Sequence, residues 1–391
     1  MQHFYFDHNA TSPVAQEVLR DLTDAMAEVY GNASSIHHFG QAAKRRLETS
    51  RRAVAAKLGC TDREIVFTSG GTESDNLAVL GVVRKVTRSP RRVITSAIEH
   101  PAVLSACAQL EREGVEITYL PVGSDGRVRP EELRRSIRQG TILISIMHAN
   151  NETGVLQPIA EISAIAHQAG VLLHSDGVQV GGRLPVNVRE LGVDLYSVSG
   201  HKFGASKGIG ALYVRKGIDL SAQLHGGHHE RDRRAGTENV NGAGALGTAV
   251  GLAFDWSGLA VLRDRLERGI LNRVPGASVN GTPDFRVPNT SNICFEGIEG
   301  EAMVIALDLR GYAVSSGSAC SSGAVEPSHV LLAMGLTPED ARSSVRFSLG
   351  PGNTVEQVDG LMEAVVESAA HLRRVSPWIG SAKAGGPDAS I

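Results

Sequence analysis

The chain has 391 residues, 42% hydrophobic and 21% charged, with a formal net charge of −3. That length accommodates a large core and more than one domain. The charge balance argues against a general nucleic-acid binder, which needs a strong basic excess, and no run of 18 apolar residues predicts a membrane span. The start, Met1-Gln-His-Phe-Tyr5, has neither the basic nor the apolar region of a secretory signal. Cys60, Cys107, Cys294 and Cys320 are far apart with no Cys-x-x-Cys, so no disulfide framework and no metal site is expected, and a reducing cytoplasm is the expected location.

In chain order, short β-rich segments alternate with helical ones. Strands are expected at 64–68, 92–96, 115–120, 142–147, 171–174, 195–198 and 211–214, with helices such as 72–86 and 159–169 between them. This alternation predicts an α/β fold with a mostly parallel seven-stranded sheet, whose ligands lie at the carboxyl ends of the strands. Near residue 255 the pattern changes. Helices at 259–274, 301–309 and 355–374 and strands at 292–295 and 343–348 suggest a smaller α+β domain. The expected organisation is a large domain over 16–255, a small domain from 1–15 and 256–375 carrying Cys320, and a flexible tail over 376–391, rich in Gly, Ala, Ser and Pro.

Three turns carry possible chemistry. Phe67-Thr-Ser-Gly-Gly-Thr-Glu73 joins a strand to a helix; its glycines admit close backbone approach, and the helix start offers free N–H groups to an anion. An ordinary capped turn is the equal alternative for this motif alone. Leu172-Leu-His-Ser-Asp176 ends an apolar strand in an acid suited to a protonated pyridine nitrogen, or to a simple N-cap. Ser197-Val-Ser-Gly-His201-Lys202 places a lysine after a buried-looking strand, where a depressed pKa would let its amine bond an aldehyde cofactor. A fourth segment, Ser315-Ser-Gly-Ser-Ala-Cys320-Ser-Ser-Gly323, is built of small residues and predicts a mobile loop able to deliver a thiol. The other three cysteines lie in apolar contexts and read as structural.

These motifs resemble the class V aminotransferase group of fold-type I pyridoxal phosphate (PLP) enzymes, and within it the NifS/IscS-type cysteine desulfurases. The resemblance runs from Tyr5-Phe-Asp-His-Asn-Ala-Thr11 to about Leu349 and includes Asn32-Ala-Ser-Ser35, Glu99-His-Pro-Ala-Val103, Asn150-Asn-Glu-Thr-Gly154 and Arg233-Arg-Ala-Gly-Thr-Glu-Asn239. It implies that Lys202 carries PLP, Asp176 pairs with the pyridine nitrogen, Gln179 bonds the phenolic oxygen and His100 stacks on the ring and shuttles protons. It assigns Gly71, Thr72, Ser199 and His201 to the phosphate, and Thr237 to the phosphate of a neighbouring subunit in a homodimer with shared active sites. It assigns Asn32, Asn151 and Arg346 to the substrate, Asn151 serving the cofactor as well and the arginine as a bidentate carboxylate partner. Cys320 would attack the sulfur of L-cysteine and keep it as a persulfide, with L-alanine as the other product. The sulfur would pass to an acceptor protein, an iron–sulfur scaffold or a thiolation enzyme.

Alternatives within PLP chemistry are a selenocysteine lyase or a class V aminotransferase, the latter needing no such thiol. A nucleotide-binding or silent scaffold protein is the reading from another class. Gly242-Ala-Gly-Ala-Leu-Gly247 matches a dinucleotide fingerprint, but no strand precedes it and a small-residue helix face is expected instead. His225-Gly-Gly-His-His229 is expected to lead to Thr237 rather than to bind metal.

Overall fold

The structure is a computed structural model that describes residues 2–252, 254–316 and 326–375. Cys320 and the tail 376–391 lie outside the described residues. The described residues form the strands β1 (Phe4–Tyr5), β2 (Ile65–Thr68), β3 (Arg92–Ser96), β4 (Glu116–Leu120), β5 (Thr141–Ser145), β6 (Leu172–Asp176), β7 (Leu195–Ser199), β8 (Gly210–Val214), β9 (Ala277–Val279), β10 (Thr290–Phe295), β11 (Tyr312–Ala313) and β12 (Ser344–Ser348).

Strands β2 to β8 form one seven-stranded sheet in the order β2-β8-β7-β6-β5-β3-β4. Only β8 opposes its neighbours β7 and β2; the other pairings are parallel. β8 runs opposite because the ten residues between it and β7 are too few for a helical crossover, so the chain folds back. β5 and β7 are buried at every position, as expected of strands covered on both faces, whereas the edge strand β4 is partly exposed. The expected parallel α/β sheet is therefore present, with boundaries shifted by one or two residues. Met147 leaves β5 because its N–H goes to the Glu99 carboxylate at 3.0 Å rather than to a neighbouring strand.

The six co-directional strands end on one edge of the sheet. Ser69-Gly70-Gly71 follows β2, Asp176 ends β6 and the turn Gly200–Lys202 follows β7. Behind this edge, the helix Val240–Gly251 packs on the helices Gln16–Glu28 and His38–Leu58. Its glycines permit the close contact: a Cβ on Gly247 would meet the Ser50 backbone at 2.8 Å. The fingerprint-like run Gly242–Gly247 is thus a helix face, as its missing strand predicts.

The C-terminal part forms an antiparallel sheet, β12-β10-β9, against the helices Trp256–Arg273 and Gly300–Asp308, on which the helix Val355–Val375 packs in turn. β1 pairs in parallel with β11, and His8 N–H donates to Ser348 O at 3.1 Å. The N-terminal strap of residues 5–15 therefore runs from this sheet across to the Lys202 turn.

One buried ion pair holds a further loop. Arg51 makes two 2.7 Å bonds to Glu230, whose Oε2 also accepts from Phe67 N–H at 3.0 Å. Glu230, Arg231 and Asp232 adopt φ of 47°, 57° and 63°, a region that costs non-glycine residues energy and needs such an anchor. Removing one partner leaves a buried charge alone. We expect Glu230→Ala to lower stability by about 3–5 kcal/mol in chemical denaturation. The double variant Arg51→Met, Glu230→Leu should recover much of that loss.

Candidate active site

A cavity of about 200 Å³ opens at the carboxyl edge of the sheet. It is lined by Gly71, Thr72, His100, Asn151, Asp176, Gln179, Ser199, His201 and Lys202, all expected from the sequence, and also by Asp75, Met147, Ala149 and Val178. These residues converge from five separate strand ends, those of β2, β3, β5, β6 and β7, which explains why their spacing in the chain is so wide.

The cavity has a basic amine on one side. Lys202 Nζ donates to the backbone carbonyls of Asn9 at 2.6 Å and Ala10 at 3.0 Å on the strap. Burial, with help from the Arg183 and Arg346 guanidinium groups, pushes the amine down to about 7, against the pull of Asp176. An amine held that low has a substantial neutral, nucleophilic fraction near neutral pH, where an ordinary lysine has almost none. Asp176 is 6% exposed and accepts from Val178 N–H at 2.9 Å. Burial raises its pKa, while His100 and Lys202 hold it down. A cation placed against this carboxylate would restore its ionised form.

His100 is both a helix cap and a cavity wall. Its Nδ1 accepts from Ala102 N–H at 3.1 Å at the start of the helix Pro101–Arg112. The neutral ring therefore carries its proton on Nε2. Burial lowers its pKa, and Lys202 and His329 lower it further. His201 Nδ1 lies 3.0 Å from Thr11 Oγ1, and burial pushes that ring down to about 4. Gln179 is committed to the strap: its amide donates to Asn9 O at 3.1 Å and its carbonyl accepts from Arg183 at 2.9 Å.

The residues fit a phosphorylated pyridine aldehyde. The helix Gly71–Lys85 starts at the cavity, and its first-turn N–H groups form an anion cradle. A Cβ on Gly71 would meet Val178 Cγ2 at 2.7 Å, so only glycine keeps the cradle open. Ser199 Oγ beside it is buried with no hydrogen-bond partner, an orphan that a phosphate oxygen would satisfy. The amine and the carboxylate supply the remaining two contacts such a group needs.

Arg346 sits next to this cavity rather than in its wall. It donates to Asn151 O at 3.0 Å and to Asp7 Oδ1 at 2.6 Å. Asn32 is exposed and lies outside the cavity, with its Oδ1 accepting from Ser34 N–H. Thr237 is exposed and lines a different recess, with Ser69, Gly208 and Arg234. Among the described residues, no group of three or more His, Cys, Asp or Glu side chains is arranged to hold a metal. Cys107 and Cys294 are buried, and burial raises their thiols to about 12 and about 11, which makes them inert.

Sequence reasoning missed three buried polar groups at the site. Asp75 lies 3.6 Å from His174 Nε2 and faces Asp176, which with burial raises its pKa. Glu99 is fully buried; its Oε1 accepts from Ser96 Oγ at 2.5 Å and its Oε2 has no partner. Arg183 donates to Asn9 Oδ1, Gln179 Oε1, His8 O and Lys202 O. Asp75 had a signal: an acid inside an otherwise apolar helical stretch, Leu77 to Val83 following it.

The Aminotransferase class-V family profile matches residues 4–361. A "Cysteine desulfurase IscS" of Methanosarcina thermophila is 48% identical over 378 residues, covering 95% of this chain and 93% of its own. A solved structure described as a "NIFS-LIKE PROTEIN" superposes with a TM-score of 0.89 at 36% identity, covering 95% of this chain and all of its own, 100%. "SspA in complex with cysteine" superposes with a TM-score of 0.81 at 34% identity, covering 90% and 99%.

Burial pushes Glu99 up to about 8, with Asp176 adding to the shift. An acid raised in the folded state loses stability for the protein as pH climbs from its ordinary value, near 4.5, through about 8. Glu99→Gln keeps the acceptor for Ser96 and Met147 but cannot ionise. Its melting temperature should match wild type near pH 5 and exceed it at pH 8.5; equal pH profiles would show that Glu99 does not titrate in this window.

Proposed function

The chain belongs to the class-V aminotransferase family, and from that membership we propose that it is a PLP-dependent cysteine desulfurase. It converts L-cysteine to L-alanine and leaves the sulfur as a persulfide on Cys320. The observation that carries this reading is the convergence of a lysine with a depressed pKa, Lys202, with Asp176, His100 and an anion cradle in one cavity. The names of its relatives select desulfuration among the reactions such a cavity serves.

PLP, when bound, supplies an electron sink that acidifies the substrate Cα–H and loosens the bond to its sulfur. The chain's own residues do the rest. Lys202 holds the cofactor and, once displaced by substrate, is the base that takes the Cα proton. Asp176 keeps a proton at the ring nitrogen. Arg346 and Asn151 receive the substrate carboxylate, the arginine giving up part of its hold on Asp7. His100 bears an exchangeable proton on Nε2 towards the cavity and assists ionisation of the thiol. In the sulfur step the substrate's C–S bond breaks, a bond forms between that sulfur and Cys320, and the carbon gains a proton to become the alanine methyl.

Anchoring of the segment that carries Cys320 supports this assignment. Ser315 exchanges two backbone hydrogen bonds with Arg346, at 3.2 and 2.6 Å. On the far side, Ser328 Oγ donates to Glu152 at 2.5 Å and His329 Nε2 donates to Glu99 O at 3.0 Å, beside His100. One flank of residues 317–325 is therefore tied to the substrate arginine, and the other to Glu152 and to Glu99, the residue before His100.

We further propose a homodimer with shared active sites. The exposed position of Thr237, outside its own chain's cavity, supports its service to a partner subunit. The persulfide passes to an acceptor protein of iron–sulfur assembly or thiolation in a reducing cytoplasm, where the thiol persists.

Two measurements test the assignment. Cys320→Ser should keep the PLP absorbance and lose sulfide and alanine production from L-cysteine; near wild-type turnover would refute the role of Cys320. Lys202→Ala should abolish the mass increase that borohydride reduction fixes in the wild-type holoenzyme.

A further inference from the structure

Arg346 is already paired with a carboxylate of its own chain. Its Nη2 donates to Asp7 Oδ1 at 2.6 Å, its Nη1 donates to Asn151 O at 3.0 Å, and its Nε is buried with no partner. A guanidinium grips a carboxylate at two points through Nη1 and Nη2 or through Nε and Nη2, and both grips use the nitrogen that Asp7 holds. The pair is asymmetric. The Arg346 side chain is 6% exposed and the Asp7 side chain 19%, so water can reach the carboxylate more readily than the guanidinium. The Asp7 backbone is fixed independently of the pair. Its carbonyl accepts from Tyr5 OH and from Ala10 N–H, each at 3.0 Å, and residue 7 bridges to Ser348 at the end of β12. The side chain can therefore leave Arg346 by rotating about its own bonds while the strap stays in place. Among the described residues, Arg346 is the one ion-pair partner of Asp7.

We propose, resting on the role of Arg346 as the substrate's carboxylate partner, that Asp7 is a built-in competitor for that carboxylate: it occupies Arg346 in the empty site, and a ligand seats fully only when a carboxylate of its own displaces it. The exchange keeps the buried guanidinium paired before and after binding, and a lone buried charge is costly. It also selects. An amine without a carboxylate offers Arg346 nothing in place of Asp7, whereas an α-amino acid replaces one anion by another. The charge of Asp7 reaches the reacting amine as well. Burial lowers Lys202 most, Arg183 and Arg346 lower it further, and Asp176 and Asp7 oppose them. Asn9 and Ala10, on the same strap, supply the carbonyls that accept from Lys202 Nζ. Residues 7–10 thus meet both the arginine that receives the substrate and the lysine that reacts with it.

The test is titration of the PLP holoenzyme with L-alanine and with L-alaninamide, which has the same shape without the carboxylate, read by the cofactor absorbance. Asp7→Asn keeps the shape and a carbonyl acceptor for Arg346 but removes the charge. It should tighten L-alanine about tenfold, the scale of one charge-assisted hydrogen bond lost by the competitor, and leave L-alaninamide unchanged. Asp7→Glu keeps the charge and should bind L-alanine no more tightly than wild type. An Asp7→Asn protein that fails to tighten L-alanine, or that tightens both ligands alike, would overturn the competitor. Without ligand, the pH midpoint of the cofactor absorbance should fall in Asp7→Asn, because an anion that favours the protonated form is gone. An unchanged midpoint would overturn the influence of Asp7 on Lys202. Arg346→Gln should weaken L-alanine and make Asp7→Asn silent in the double variant. Full L-alanine affinity in Arg346→Gln would instead sink the role of Arg346 on which the competitor depends. None of these readouts requires Cys320 or sulfur release.

Discussion

The guanidinium of Arg183 holds the site together. It is 4% exposed and spends its donors on four neutral oxygens: two strap atoms, the Gln179 amide and the Lys202 carbonyl. Among the described residues, no carboxylate forms an ion pair with it. Burial, with Arg346 nearby, pushes it down to about 9, and it stays charged at neutral pH because its hydrogen bonds go to oriented carbonyl dipoles. This one side chain ties the N-terminal strap to the end of β7, and so places a cation where it can depress Lys202 without a competing ion pair.

The strap explains how distant parts of the chain make one cavity. Asp7 takes Arg346 from β12, Asn9 meets Gln179, Thr290 and Arg183, and Ser12 grips the Lys202 turn. A few residues near the N-terminus thus connect the parallel sheet to the antiparallel one. Around them, Asp75, Glu99 and Asp176 form a buried acidic group; desolvation raises each carboxyl, and repulsion by Asp176 adds to the rise at Asp75 and Glu99. A bound cofactor with a protonated ring nitrogen relieves part of that cost, which gives the site a reason to prefer such a group.

The sheet was legible because its strands are short apolar runs separated by long amphipathic segments, a pattern with local meaning. The cavity residues Lys202, Asp176 and Gly71 were legible because each ends a strand. Arg183 was not. It sits in Gly181-Gly-Arg-Leu-Pro185, a stretch that reads as an ordinary surface turn. Its burial arises from the strap lying over it, about 175 residues away in sequence. Glu99 was masked in the same way, because its partner is the backbone of Met147, from a neighbouring strand end.

Sequence alone determined the α/β architecture, the strand ends and the chemical types gathered there, because hydrophobic period and turn residues act over a few positions. Only the tertiary structure decided which polar groups are buried without a counter-ion, that His100 spends Nδ1 as a helix cap, that Thr237 stands outside its own cavity, and that Asp7 occupies Arg346. Those features depend on contacts between segments hundreds of residues apart, and desolvation at a point in space has no counterpart in the local order of residues.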